Sequence, residues 1–206
     1  MDFATAQKQA LECRACALCN SRTRVVFGDG PLNASLFIVG ESPGFNEDRE
    51  GHPFKGASGI FLERLLESLG IERESVYLTT LVKCRPPENR APKPAEVNSC
   101  KPYLLSQLSA VDPQVVVALG DLASRALTGR RDAVSRIRGR AIPVDGRYVF
   151  PTHALSRALY TPADRALILS DFSRLPDLLA AERPTTYETL NVAAERDRLP
   201  LQPGLW

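Results

Sequence analysis

Gln114-Val115-Val116-Val117-Ala118-Leu119-Gly120 is the stretch that decides the fold. Five apolar residues in a row, three of them β-branched and none alternating with a polar neighbour, suit a strand whose sheet is covered by helices on both faces. Upstream, Ser35-Leu36-Phe37-Ile38-Val39 repeats the pattern and stops at Gly40, and Val76 to Val82 supplies a third β-branched and aromatic run. Downstream, Ala141 to Val144 and Arg147 to Phe150 flank Asp145-Gly146, a tight-turn pair. Helical spacings fill the intervals. Phe3, Ala6 and Ala10-Leu11 lead into Cys13; Phe61, Leu62, Leu65, Leu66 and Leu69 stop at Gly70; Leu104, Leu105 and Leu108 follow Cys100 in a helix starting near Ala95. Pro102 is expected to kink or break that helix, and Pro176 to interrupt another over Pro162 to Ala181, with Leu167, Ile168, Phe172, Leu175, Leu178 and Leu179 as its apolar stripe. Asp121 is placed to cap the helix after Gly120. Gly40 to Gly59 and Arg85 to Pro94 read as irregular.

Strands and helices thus alternate, which predicts an α/β fold with three α-β-α layers around a mostly parallel sheet. The expected organisation is one domain over residues 1–183 and a C-terminal tail over 184–206. Ligands of such sheets bind beyond the strand C-termini. The segments Gly40 to Gly59, Val82 to Asn89 and Thr152 to Arg157 are therefore expected to converge on one crevice.

With 206 residues, 44% of them hydrophobic, the chain can bury a sizeable core. Its 26 basic and 24 acidic side chains leave a formal charge of +2, which neither requires nor excludes a polyanionic partner. Arg130, Arg131, Arg136, Arg138 and Arg140 face the single acid Asp132, a local positive patch that is either a solvated face or a phosphate contact. No apolar run approaches the ~20 residues of a membrane span, and the N-terminus lacks a signal-peptide pattern. The expectation is a cytoplasmic protein, monomeric by default.

Five cysteines in a reducing compartment do not suggest a disulfide framework. Cys13 and Cys16 are spaced to share one metal centre, and Cys84 and Cys100 add two thiolates from distant parts of the chain. Four such ligands suit tetrahedral zinc or a four-iron cluster, and the spacing does not separate these. Buried cysteines acting only as small hydrophobes are the bland alternative. Cys19 makes the count odd.

Gly40-Glu41-Ser42-Pro43-Gly44 opens directly after a strand, followed by Glu47-Asp48 and Gly51-His52-Pro53-Phe54-Lys55-Gly56. Glu41 and Glu47 are placed to order or activate water, or simply to cap turns. Phe54 is either a core plug or a platform for a planar ligand. His153 is either a satisfied core histidine or a donor to a developing anion.

Together with Arg22-Thr23-x-Val25-Val26-Phe27-Gly28, Val82-Lys83-Cys84-Arg85-Pro86-Pro87-x-Asn89-Arg90 and His153, these pieces resemble the family-four, iron-sulfur branch of the uracil-DNA glycosylase superfamily, roughly from Cys13 to Leu179. The resemblance implies that Cys13, Cys16, Cys84 and Cys100 hold a [4Fe-4S] cluster, with Cys19 outside the set. It implies that Glu41 and Ser42 hold the hydrolytic water, that Glu47 supports them, that Phe54 stacks on the flipped base, and that His153 donates toward uracil O2. Gly40, Thr80 and Asn89 complete the implied base pocket. The implied partner is uracil-containing DNA, single- or double-stranded. The implied reaction releases uracil and leaves an abasic site. Three positions depart from the family pattern: Ser42 replaces Ala or Gly, Thr80 replaces the pyrimidine-reading Asn, and Ala154 replaces the Pro after the histidine. Thr80 motivates a relative with altered base preference, and a non-catalytic iron-sulfur protein that binds lesions is the third reading.

Overall fold

The computed structural model describes residues 1–185, so most of the expected tail lies outside the described residues. Five strands form one sheet: β1 (Leu36–Gly40), β2 (Val76–Thr80), β3 (Val115–Leu119), β4 (Ile142–Val144) and β5 (Arg147–Thr152), in the order β2-β1-β3-β5-β4. All neighbours pair in parallel except the β4–β5 hairpin, whose turn residues Asp145 and Gly146 both take positive φ. The expected mostly parallel α/β sheet is present.

Period-two alternation divides the side chains between two cores. Phe37, Val39, Tyr77, Val116, Ala118 and Val149 face helices α4 (Pro94–Val111), α5 (Asp121–Thr128) and α6 (Val134–Ile137). Leu36, Ile38, Leu78, Val115, Val117 and Phe150 face α3 (Ala57–Glu67), α7 (Pro162–Phe172) and α8 (Leu175–Ala180). These are the three layers. A third, smaller cluster gathers α1 (Phe3–Leu11), Val82, Val97 and the cysteines at one edge.

Several local expectations are corrected. Gly40 to Gly59 is not wholly irregular: it contains α2 (Phe45–Glu50) and the first turn of α3. Gly44 followed by Glu47 is a capping arrangement, and the Glu47 carboxylate accepts from the Gly44 N–H at 3.0 Å. Helix α4 runs through Pro102 without a break. Asp121 does not cap α5; its carboxylate accepts from the Val134 N–H at 2.8 Å and so caps α6. The break before α8 falls at Ser173-Arg174, with Pro176 inside the first turn of α8 where a missing N–H costs least. Leu167, expected on the apolar stripe, is an exposed residue.

Candidate active site

Strand β1 is flanked by β2 on one side and β3 on the other, so the chain leaves the sheet in opposite directions at this point. Beyond the strand C-termini lies an open cleft of about 290 Å³, at the switch point where parallel sheets take ligands. Its walls come from Gly40 to Gly44 and Glu47, from Phe54 and Ser58, from Thr80 and Asn89, and from Leu119 and Ala154 to Ser156. The segments expected to converge do converge.

Glu41 stands at the junction of β1 and α5. One carboxylate oxygen accepts from the Leu122 N–H at 3.1 Å, in the first turn of α5. Gly120 makes room for it: φ is +93°, and a Cβ there would lie 2.5 Å from the same oxygen. Burial raises the pKa of Glu41 above the ordinary carboxylate value, with Asp121 adding to the shift, while the Leu122 N–H and the charge of Arg125 oppose it. The result is a fixed carboxylate of increased basicity at the cleft wall.

Glu47 is committed to the loop. Besides Gly44, it accepts from the Lys55 and Gly56 N–H groups, both at 2.9 Å, and Gly56 precedes α3. One carboxylate thus fixes the starts of two helices and the approach to Phe54. Its neighbour Asp48, buried, accepts from the Thr23 and Arg24 N–H groups and ties the N-terminal segment to α2.

Phe54 has φ of +56°, a left-handed conformation that costs a bulky residue about 1–2 kcal/mol. Two glycines accommodate it. A Cβ on Gly59 would fall 1.8 Å from the Phe54 carbonyl oxygen, and one on Gly40 would meet both the Phe54 ring at 3.2 Å and the Thr80 methyl at 3.3 Å. The ring therefore lies over the ends of β1 and β2, partly exposed to the cleft. Thr80 pairs with Gly40 in the sheet register, and its hydroxyl donates to the Val82 carbonyl at 2.8 Å. Its only proton is thereby used, and what remains is an acceptor. Asn89, also at positive φ, accepts from Arg85 Nε at 2.8 Å through its side-chain oxygen.

His153 is placed differently from the other expected site residues. It follows β5 directly and is 6% exposed, but it is not among the residues lining the cleft; Ala154, next in the chain, is. Burial, assisted by Arg157 and opposed by Asp164, holds it below the usual imidazole range, so it is neutral near pH 7. The arginine patch is also changed. Arg138 makes two hydrogen bonds to Asp171, at 2.7 and 3.0 Å, and one to the Leu167 carbonyl, while Asp171 accepts from the Thr152 hydroxyl at 2.6 Å. That guanidinium ties the end of α6 to α7, and Asp171 in turn ties α7 to β5. Arg130, Arg136 and Arg140 remain exposed.

All five cysteines line a second, much smaller cavity at the edge of the molecule. Cys13 and Cys16 follow α1, Cys84 follows the β2 edge, and Cys100 lies in α4; Cys19, expected apart from the set, lines the same cavity. Three N–H groups point at sulfur: Arg22 Nη1 to Cys84 at 3.3 Å, the Lys83 amide to Cys100 at 3.3 Å and the Ala15 amide to Cys13 at 3.5 Å. Burial pushes the Cys100 thiol up to about 12 and raises Cys84 and Cys16 as well. Among the described residues, no three His, Cys, Asp or Glu side chains are grouped closely enough for a single metal ion.

A buried link joins the two cavities, and sequence reasoning missed it. Lys83, between cleft and chamber, donates through Nζ to the Thr79 hydroxyl at 2.5 Å, the Thr80 carbonyl at 2.7 Å and Gln107 Oε1 at 2.7 Å. Gln107 in turn donates to the Phe27 carbonyl and the Tyr77 hydroxyl. A polar residue at a core-facing position of α4 was the available signal.

Residues 27–173 match the description "Uracil DNA glycosylase superfamily". The chain belongs to that superfamily, on its type-4 branch. It is 38% identical over 191 residues to a type-4 uracil-DNA glycosylase of Archaeoglobus fulgidus, covering 89% of this chain and 96% of that one. It is 39% identical over 175 residues to the type-4 enzyme of Thermotoga maritima, covering 83% and 91%. With the type-4 enzyme of Sulfurisphaera tokodaii the identity is 35% over 191 residues, covering 88% and 87%. The superfamily match spans all five strands, and so the whole scaffold of the cleft. No helix among the described residues is long and apolar enough to cross a membrane.

Proposed function

We propose that this glycosylase-superfamily chain hydrolyses the N-glycosidic bond of deoxyuridine in DNA, releasing uracil and leaving an abasic site. The observation that carries the reading is the meeting, at the switch point, of a partly buried carboxylate of raised pKa, an aromatic ring and a base-edge residue: Glu41, Phe54 and Thr80. An extrahelical deoxyuridine enters the cleft and stacks on Phe54. The bond from C1′ to the base nitrogen breaks with its electrons on the base. Water adds to C1′, and Glu41, with one oxygen fixed by Leu122, orients it and accepts its proton. Ser42 shares the wall that holds this water, while Glu47 keeps the loop in place through its three backbone contacts. His153 is neutral, and an imidazole N–H offered to uracil O2 as charge develops there stabilises the leaving anion. Because Ala154 stands at the cleft wall, that contact requires the imidazole to reach past it when substrate is bound.

In the chamber, Cys13, Cys16, Cys84 and Cys100 fit a [4Fe-4S] cluster: four soft ligands lining one cavity, with N–H donors aimed at three of the sulfurs. Its function here is structural. It joins α1, the end of β2 and α4, alongside the Arg90–Glu96 ion pair at 2.7 Å that holds the Pro-rich segment.

The test is base release from single- and double-stranded oligonucleotides carrying uracil, hypoxanthine, xanthine or an abasic site, measured beside binding. Uracil release is expected. Binding without release of any base would replace the enzyme reading with that of a lesion-binding protein. A second reading, altered base preference, is favoured by one observation: the Thr80 proton is given to Val82, so the base edge meets an acceptor alone.

A further inference from the structure

Phe45 is the first residue of α2, directly after the cleft residues Pro43 and Gly44, and it is 52% exposed. Two guanidinium groups lie against it: Arg85 at 5.2 Å and Arg49 at 5.6 Å from the ring centroid. Arg85 also donates Nε to Asn89, on the opposite rim of the cleft mouth. Arg49 lies one turn along α2 and is exposed.

Stacking on a ring leaves the N–H edges of a guanidinium available, while it removes much of the freedom the side chain has in water. Phe45 therefore orders two arginines beside the cleft without consuming their outward donors. Planar forks of this kind match the oxygens of a phosphodiester. Neither arginine is held in an ion pair among the described residues, and Glu47 and Asp48, the acids in the first turn of α2, accept from backbone N–H groups of the loop instead.

We infer that Phe45, Arg49 and Arg85 form a clamp for a backbone phosphate flanking the extruded nucleotide, on the strand that carries the target base. The inference rests on the uracil-DNA reading of the cleft. Phe45 is a positioning residue in the clamp, and the arginines make the contact. Such a clamp fixes where the strand enters the cleft and carries no base information.

The experiment is a methylphosphonate scan. Oligonucleotides with one 2′-fluoro-2′-deoxyuridine, which resists hydrolysis, carry a single neutral methylphosphonate at successive positions around the target. Binding is measured against salt for the wild type, Phe45→Ala, Arg49→Gln and, as a control for net charge, Arg64→Gln. One flanking methylphosphonate is expected to weaken wild-type binding by about 5- to 10-fold. The same substitution should cost Arg49→Gln and Phe45→Ala less than about 2-fold. Arg49→Gln should also reduce the salt slope by about 0.7–0.9, the value of one phosphate contact, with Arg64→Gln unchanged in the scan. Melting temperature should hold in both cleft-mouth variants, since both side chains are exposed. Equal sensitivity of wild type, Arg49→Gln and Phe45→Ala at every position would overturn the clamp. Base release from an ordinary deoxyuridine oligonucleotide is followed in parallel. Release with no coupling removes the clamp alone, whereas coupling without release keeps the strand contact and removes the glycosylase reading.

Discussion

Thr80 faces the cleft and Cys84 the cysteine chamber, four residues apart, yet the two sites are held together by opposite means. The cleft is fixed by carboxylates on backbone N–H groups and by strained residues at positive φ, Phe54 and Asn89, all of them contacts that the folded chain supplies to itself. The chamber is lined by thiols whose burial favours the protonated form. Neutral thiols repel no one and attract little; as thiolates around the proposed cationic cluster they would become a cross-link. The cleft is thus self-supporting in its polar contacts, whereas the chamber would depend on the proposed cluster. Lys83 is where the two sites connect, because its Nζ donates to the Thr80 carbonyl and its backbone amide faces Cys100.

The largest effect should come from breaking the chamber. Cys84→Ala or Cys100→Ala is expected to abolish stable cluster content and most soluble, folded protein, because ligand binding free energy here is folding free energy. Freshly prepared wild type should carry about four irons per chain with matching labile sulfide. Cys19→Ala should leave iron content and melting temperature nearly unchanged, although Cys19 lines the cavity. Stoichiometric zinc with no sulfide, or loss of iron in Cys19→Ala, would redraw the ligand set.

Breaking the cleft should leave the fold intact and remove the chemistry. Glu41→Gln keeps an oxygen for the Leu122 N–H but cannot accept a proton, so single-turnover uracil release should fall on the order of 10²- to 10⁴-fold with binding changed little. His153→Ala should also slow release more than it weakens binding, and His153→Gln, which retains a donor, should recover part of the loss. If both His153 variants release uracil at the wild-type rate, the histidine is a core residue only. Stability gives a separate readout of Glu41. Its folded pKa is raised, so the folded state binds its proton more tightly than the unfolded chain does; the buried charge costs stability at neutral pH, and that cost disappears as pH falls below the unfolded carboxylate value. Glu41→Gln should therefore melt no lower than wild type at pH 7, and any advantage should close in acid.

The same carboxylate predicts a smaller effect, on position and not on size. The release rate should drop on acidification through the raised pKa of Glu41. Asp121→Asn keeps an oxygen for Val134 and removes a neighbouring negative charge, so it should move this acid limb to lower pH; Arg125→Gln should move it higher. Rate against pH at saturating protein reads both. A limb that stays in place in both variants would assign it to another group.

What the sequence disclosed followed the same division. Strand cores were legible because Val115 to Leu119 and Leu36 to Val39 are buried on both faces, and the switch point then brought three loops together by topology alone. Helix α2 was hidden by Gly44, Gly51 and Pro53, which look like loop punctuation, although Glu47 three residues after Gly44 carried the capping signal. Asp121 and Arg138 were misassigned for a different reason. Their partners, Val134 and Asp171, are set by packing of α6 and α7, and no local pattern reports a contact across 13 or 33 residues. Lys83 was invisible as a core residue because its charge predicts solvent, and only the acceptors Thr79, Thr80 and Gln107 around it make burial tolerable.

Thr80 offers the finest test of how the cleft reads a base. Uracil presents an acceptor at O4 beside a donor at N3, and cytosine presents the reverse, a donor at its exocyclic amine beside an acceptor at N3. The Thr80 hydroxyl gives its proton to the Val82 carbonyl, so it offers lone pairs alone, able to meet N3–H of uracil or the amine of cytosine. One acceptor satisfies one donor on either edge, and the preference for uracil must then rest on other donors near O4. An Asn at this position presents a donor and an acceptor together and opposes the cytosine pattern at both. With a bidentate pair worth about 1–3 kcal/mol of discrimination, Thr80→Asn should raise the ratio of uracil to cytosine release by a factor of order ten to one hundred. Thr80→Val separates the two functions of the hydroxyl, since it removes the acceptor and frees the Val82 carbonyl while keeping the shape. If the acceptor contacts the base, Thr80→Val should slow release from uracil oligonucleotides by up to about tenfold beyond any change in melting temperature. The measurement is single-turnover release from matched uracil and cytosine oligonucleotides at saturating protein, with iron content checked in each variant. Unchanged ratios in Thr80→Asn and an unchanged rate in Thr80→Val would leave the hydroxyl as a turn-forming group, with base selection assigned to the backbone of Gly40 to Ser42 and to the amide of Asn89.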